Sequence, residues 1–263
     1  MQQSLRNLKT LDLRYSWSLE KSPNFSQVPN LEELILENCE ELSEIDPSIG
    51  HLKRLSLVNL QSCYNLISLP RDFYKSKSVE TLLLNWCTSF REVHEDLGEM
   101  ISLRILEAKH TAIRQLPPSI VGLKNLTCLN LSWCNLDDDA IPKDLGSLIS
   151  LQVLDLSENN FHSLPNLSGF SKLKTLRLDK CFNLHKIPDL PANLKFMYAY
   201  DCPALETMPS FSDMSNMREL VLICSPKLIE VPGLDKSLNS MTQIDMRMCT
   251  NLTADFRKNI LQV

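Results

Sequence analysis

Apolar and polar positions alternate along this chain in short bursts, and the bursts return at a nearly constant interval. Leu8, Leu31, Leu55, Val79, Leu103, Leu126, Leu151, Leu173, Leu194, Met217 and Met241 each open a segment with aliphatic residues favoured at its fourth and sixth positions. The pairs Leu34/Leu36, Val58/Leu60, Leu82/Leu84, Leu129/Leu131 and Leu176/Leu178 show this directly. A spacing of two is the period of a strand with one buried face. Each burst is too short to bury a core alone, so neighbouring segments are expected to pair in parallel and share one. A fully buried leucine contributes roughly 1.5–3 kcal/mol, against an ordering cost of ~1–2 kcal/mol per residue. Several per segment are therefore needed.

The successive openings lie 21 to 25 residues apart. That interval, with the order LxxLxLxx(N/C)xL, defines a leucine-rich repeat. Leu151 to Phe161 matches the asparagine form and Leu31 to Leu42 the cysteine form. The predicted fold is a leucine-rich-repeat solenoid of the α/β class, a horseshoe. Its parallel sheet lines the concave face, with mostly irregular turns and short 3-10 segments on the convex face. About eleven repeats fill residues 8–252, beginning at the eleven openings above. Residues 1–7 are read as a partial N-terminal edge without a polar cap. Residues 253–263 are read as a C-terminal edge leading to a further domain, so the chain is expected to be a piece of a longer protein.

The second half of the repeat carries an aliphatic residue and then proline, as in Leu69-Pro70, Leu116-Pro117, Ile141-Pro142, Leu164-Pro165, Ile187-Pro188, Met208-Pro209 and Val231-Pro232. Proline lacks an N–H and fixes φ, which suits a segment leaving a sheet. The ninth position holds Cys39, Cys63, Cys87, Cys134, Cys181, Cys202 and Cys249, with Ser16, Thr111, Asn159 and Ser225 in the other repeats. A column of this kind points to small buried side chains with a weak S–H donor. The histidines that would convert it into a metal ladder are missing. Cys128 and Cys224 fall off the column, and are expected to be exposed thiols at strand positions. Nine cysteines without CxxC pairs point to a reducing, cytoplasmic or nucleo-cytoplasmic setting.

The formal net charge is −5 and no stretch of sequence concentrates Lys and Arg, so nucleic acid is not an expected partner. No apolar run approaches the ~18–20 residues that span a bilayer, and membrane insertion is not expected. Asp137, Asp138 and Asp139 lack the glycine and distal glutamate of a calcium loop and are expected to form a solvated loop. His51, His94, His110, His162 and His185 are scattered without a nucleophile beside them. Catalysis needs convergent groups, so no enzymatic role, cofactor or metal is expected.

The Leu-x-x-Leu-x-Leu-x-x-Cys-x-x-Leu-x-x-(Ile/Leu)-Pro cadence resembles the repeat region of plant intracellular immune receptors of the TIR-NB-LRR type. Ser22 to Leu31 running into Cys39 and Asp46-Pro-Ser-Ile-Gly50 carries the likeness, as does Cys249 to Gln262. The resemblance implies a cytosolic region that senses pathogen effectors and contributes to autoinhibition. Its implied partners are an effector protein and the receptor's own nucleotide-binding domain. One alternative is the ectodomain of a cell-surface receptor, but Asn holds the ninth position only once and the glycine before Ile/Leu-Pro is missing. A repeat adaptor for protein–protein interaction is another.

Side chains between the core leucines are the expected binding surface on the concave face. Trp86, His110 and Trp133 are placed at the last strand position before the cysteine column. Lys109, Arg177, Lys180, Phe196, Tyr198, Tyr200, Val221 and Ile223 complete the candidate site. Aromatics and arginine in a groove are what interface hot spots use.

Overall fold

The computed structural model describes residues 5–261 and divides into two compact units, residues 1–134 and 135–263. The first unit holds β1 (Thr10–Asp12), β2 (Glu33–Ile35), β3 (Leu57–Asn59), β4 (Thr81–Leu83), β5 (Ile105–Glu107) and β6 (Cys128–Asn130). The second holds β7 (Val153–Asp155), β8 (Thr175–Arg177), β9 (Phe196–Tyr198), β10 (Glu219–Val221) and β11 (Gln243–Asp245). Within each unit successive strands pair in parallel and in chain order. Leu34, Val58, Leu82, Leu106 and Leu129 face one another across the first unit. Leu154, Leu176, Met197 and Leu220 do the same in the second. All of these are buried. The strand phase read from the leucines is therefore the observed one.

Two local features shape the repeats, the first in five of them and the second in all eleven. At the strand's last residue, Asp12, Asn59, Asn130, Asp155 and Asp245 each accept a hydrogen bond from the backbone N–H two residues on. This Asx turn bends the chain away from the sheet. The next residue, immediately before the ninth position, has positive φ in every repeat: Tyr15, Asn38, Ser62, Trp86, His110, Trp133, Glu158, Lys180, Asp201, Cys224 and Met248. None of them is glycine.

The ninth position then turns inward. The thiols of Cys39, Cys63, Cys87, Cys134, Cys181, Cys202 and Cys249 donate to the carbonyls of Leu13, Leu36, Leu60, Ala108, Leu156, Leu178 and Leu222, each one repeat earlier. Thr111 and Asn159 instead donate to Ala108 and Leu156 of their own repeats. The column is a ladder of thiol-to-carbonyl bonds. None of the nine cysteines forms a disulfide.

The return side of the first unit is built of 3-10 segments at Phe25–Gln27, Pro47–His51, Arg71–Lys75, Glu95–Glu99 and Pro118–Gly122. Asn24, Asp46 and His94 cap three of them by accepting from Ser26, Ser48 and Asp96 N–H groups. Phe25, Ile49, Phe73, Leu97 and Ile120 close the core from this side. These segments stack so closely that a Cβ on Gly98 would lie 2.1 Å from the Ser119 carbonyl oxygen. In the first repeat Leu8, Leu11 and Leu13 are only half-buried, unlike their counterparts in the next repeat. The tail contains a helix that the pattern did not foretell, α2 (Ala254–Leu261) after the single-turn α1 (Leu234–Ser237), and Phe256 of α2 is buried.

Candidate functional site

The candidate residues fall into one cluster in each unit. In the first, Trp86, His110 and Trp133 lie two or more residues past the ends of β4, β5 and β6, at the positive-φ position and not in the strands as expected. Before Trp133 the Asx turn at Asn130 ends the strand. The backbones of Trp86 and His110 remain tied, because their N–H groups donate to the Lys109 and Ser132 carbonyls at 2.8 Å. The three rings stack outward. The His110 ring centroid lies 4.5 Å from Trp86 and 4.7 Å from Trp133, and the two indoles meet edge-on at 5.7 Å. Lys109 Nζ sits 5.8 Å from the Trp86 ring. His110 Nδ1 is buried and has no hydrogen-bond partner among the described residues. Trp86 and Trp133 remain 39% and 40% exposed, so the trio forms an aromatic ledge with open faces.

Beside the ledge runs a polar ladder that sequence reading missed. Asn85 donates to Gln61 and to Glu107, and Asn130 donates to the same Glu107 carboxylate at 3.1 Å. Glu107 and Asn130 end β5 and β6, whereas Gln61 and Asn85 stand two residues past the ends of β3 and β4.

In the second unit the cations of the candidate site are already matched. Arg177 lies over the Tyr198 ring, 4.7 Å from its centroid, and bonds Asp179 at 2.7 Å. Asp155 is 3.9 Å from the same guanidinium. Lys180 sits over the Tyr200 ring and 3.6 Å from Glu158. Tyr198 donates its hydroxyl to Glu219 at 2.7 Å. Burial first, then this bond and the Glu219 charge, push the phenol pKa to about 12. Asp179 is 4% exposed; desolvation raises its pKa, opposed by the Tyr200 N–H and by Arg177. Arg177 and Lys180 are thus parts of an internal network. Phe196, Tyr198, Tyr200, Val221 and Ile223 are half-buried, and their outer surfaces make a mixed apolar and phenolic face.

Asp137, Asp138 and Asp139 are exposed, as expected of a solvated loop, and the Asp138 carboxylate in addition accepts from the His162 N–H at 2.7 Å and the Ser163 N–H at 3.1 Å, tying one repeat to the next. These bonds hold its pKa below the usual value in spite of desolvation. Cys224 is not at a strand position but at the positive-φ turn after β10, half-buried, with Sγ 3.4 Å from Met248 Sδ. Among the described residues no three His, Cys, Asp or Glu side chains converge to hold a metal ion. No helix among them is long and apolar enough to cross a membrane.

The family description "Leucine Rich repeats (2 copies)" matches residues 149–192, and "Leucine Rich Repeat" matches residues 125–148. TMV resistance protein N of Nicotiana glutinosa is 28% identical, aligned over 75% of this chain and 26% of the relative. Disease resistance-like protein DSC1 of Arabidopsis thaliana is 33% identical over 68% of this chain and 17% of the relative. The chain thus spans about a quarter or less of the length of these relatives. The solved ectodomain of the Arabidopsis thaliana receptor kinase GASSHO1/SCHENGEN3 superposes with a TM-score of 0.64 at 20% identity, over 86% of this chain and 31% of that one. Such low identity speaks to fold alone, whereas the curated relatives are resistance and disease resistance-like proteins. The chain belongs to the plant disease-resistance proteins of the leucine-rich-repeat type, and it represents their repeat region.

Proposed function

We propose that this chain is a protein-binding region of an intracellular plant immune receptor, which senses pathogen effectors and contributes to autoinhibition. The observation that carries the reading is the aromatic ledge of Trp86, His110 and Trp133 with its open ring faces. Bulky residues at positive φ are costly, and a buried ring nitrogen without a partner adds to that. Positive φ belongs to the turn of every repeat, but bulky aromatics there, half-exposed in the two tryptophans, are not required by it. Large rigid rings offer contact area at little entropy cost. The face of Tyr198, Tyr200, Phe196, Val221 and Ile223 is a second contact surface in this reading. An effector and the receptor's own nucleotide-binding domain that share a surface exclude one another, and binding one in place of the other shifts an on–off equilibrium. The setting is cytoplasmic or nucleo-cytoplasmic, and no chemistry is assigned.

The test is competition. The immobilised chain is loaded with the nucleotide-binding domain of a resistance receptor, and a cognate effector is titrated in. Displacement that disappears in a Trp86→Asn, Trp133→Asn variant supports the reading. Displacement that survives there, and that is lost only on substituting the return side, contradicts it.

A further inference from the structure

In the second unit the residue just before each of three consecutive strands is a cation: Lys174 before β8, Lys195 before β9 and Arg218 before β10. The N–H groups of Lys195 and Phe196 both donate to the Lys174 carbonyl, and those of Arg218 and Glu219 to the Lys195 carbonyl. The three residues therefore stand directly opposite one another, about 4.8 Å apart from strand to strand. Like charges in that register repel. Among the described residues none of the three forms a salt bridge, while the other cations of this strand region, Arg177 and Lys180, do. Lys174 donates to the Gln152 side chain at 2.8 Å and Arg218 to the Ser240 carbonyl at 3.1 Å, both neutral acceptors.

The first unit treats the same position differently. There the column reads Lys9, Glu32, Ser56, Glu80, Arg104 and Thr127, and its cations are matched by Lys9–Glu32 at 3.1 Å and Arg104–Glu80 at 3.5 Å. An uncompensated ladder in a chain of net charge −5 is a local exception. It borders a hollow of about 300 Å³ whose lining adds Lys172, Asn193 and Asn216, all hydrogen-bond donors.

We propose that this ladder docks an acidic segment of a protein partner. The inference rests on the protein-binding reading and names the chemistry of one partner. The ladder spans two strand gaps, about 10 Å, which suits two or three carboxylates rather than a long phosphate track. Its flank also favours polypeptide. The next position along the strands carries half-buried Phe196 on β9 and the Glu219 carboxylate on β10, and Val221 follows. That mixture accepts an apolar side chain and repels a continuous polyanion.

The experiment titrates the full chain with a fluorescent Glu-Phe-Glu-Phe-Glu peptide by anisotropy. The triple variant Lys174→Gln, Lys195→Gln, Arg218→Gln is compared with a control, Lys9→Gln, Arg104→Gln. Three exposed ion pairs of ordinary strength give a loss of about tenfold in the triple variant at low salt. The difference shrinks at about 0.5 M salt, and the control binds as the native chain does. In addition, Lys195→Gln raises Tm, because it removes the repulsion; a fall in Tm contradicts the account of the ladder. Equal peptide affinity in the triple variant overturns the ladder and leaves the protein-binding reading standing. No peptide binding, with ladder-dependent binding of a single-stranded oligonucleotide or of phosphatidylcholine vesicles carrying about 30% phosphatidylserine, overturns both.

Discussion

The Cys87 thiol donates to the backbone carbonyl of Leu60 at 2.9 Å, and the two residues belong to successive repeats. The same carbonyl accepts the Cys63 N–H at 3.2 Å, so the thiol is its second donor, and the cysteine column joins repeats by weak polar bonds as well as by packing. Burial pushes the Cys87 and Cys181 pKa values to about 12. Both are neutral and enclosed at pH 8, so they resist an aromatic disulfide reagent until denaturant is added, whereupon all nine cysteines react. Fast native labelling of Cys87 contradicts this.

The same shift has a pH consequence. The folded pKa lies above the ordinary 9.0 of an unfolded thiol. Stabilisation is therefore complete below pH 9 and is lost as pH rises from 9 toward 12, because only the unfolded chain releases those protons. Denaturant midpoints fall across that window in the native chain. They fall less in a Cys87→Ser, Cys181→Ser variant, whose absolute stability is lower. An equal slope in both places the alkaline loss elsewhere.

Leu156 is fully buried, while its neighbour Asp155 faces outward and accepts from the Ser157 N–H at 3.0 Å. Leu156→Asp places a lone carboxylate in the core, costs several kcal/mol and unfolds the second unit. Asp155→Ala removes an Asx turn and costs about 1 kcal/mol. Circular dichroism melts separate the two. Equal losses mean that the strand phase is wrong by one residue.

Gly98 tests the stacking of the 3-10 segments. Its missing Cβ would lie 2.1 Å from the Ser119 carbonyl oxygen, a backbone atom that cannot step aside alone. Gly98→Ala is expected to cost about 1–3 kcal/mol by forcing these segments apart. An unchanged urea midpoint contradicts the packing described.

The fold was legible because its signal is repeated. A leucine at Leu154, Leu176 and Leu220 carries the same instruction each time, and parallel stacking is the one arrangement that buries them all. The candidate site was less legible. Trp86 and Trp133 were placed in strands because side-chain alternation does not announce where the strand pairing ends. For Trp133, Asn130 held that information. The matching of Arg177 by Asp155, and of Lys180 by Glu158, was invisible because partners one repeat apart are separated by about the repeat length in sequence. The ladder of Lys174, Lys195 and Arg218 was missed for the same reason: a charge cluster that exists only after stacking looks dispersed along the chain.

The central claim is that the strand side of this region, and not its return side, binds protein. The direct measurement is calorimetric affinity for the nucleotide-binding domain of a resistance receptor, with thermal melts as a folding check. Trp86→Asn with Trp133→Asn should change stability by less than ~1 kcal/mol, since relief at positive φ offsets lost ring contacts. The same pair should weaken binding by about 2 kcal/mol or more. Lys53→Ala with Arg71→Ala, on the return side, should change it by less than ~0.5 kcal/mol. Binding abolished by the return-side pair and untouched by the tryptophan pair would contradict the account.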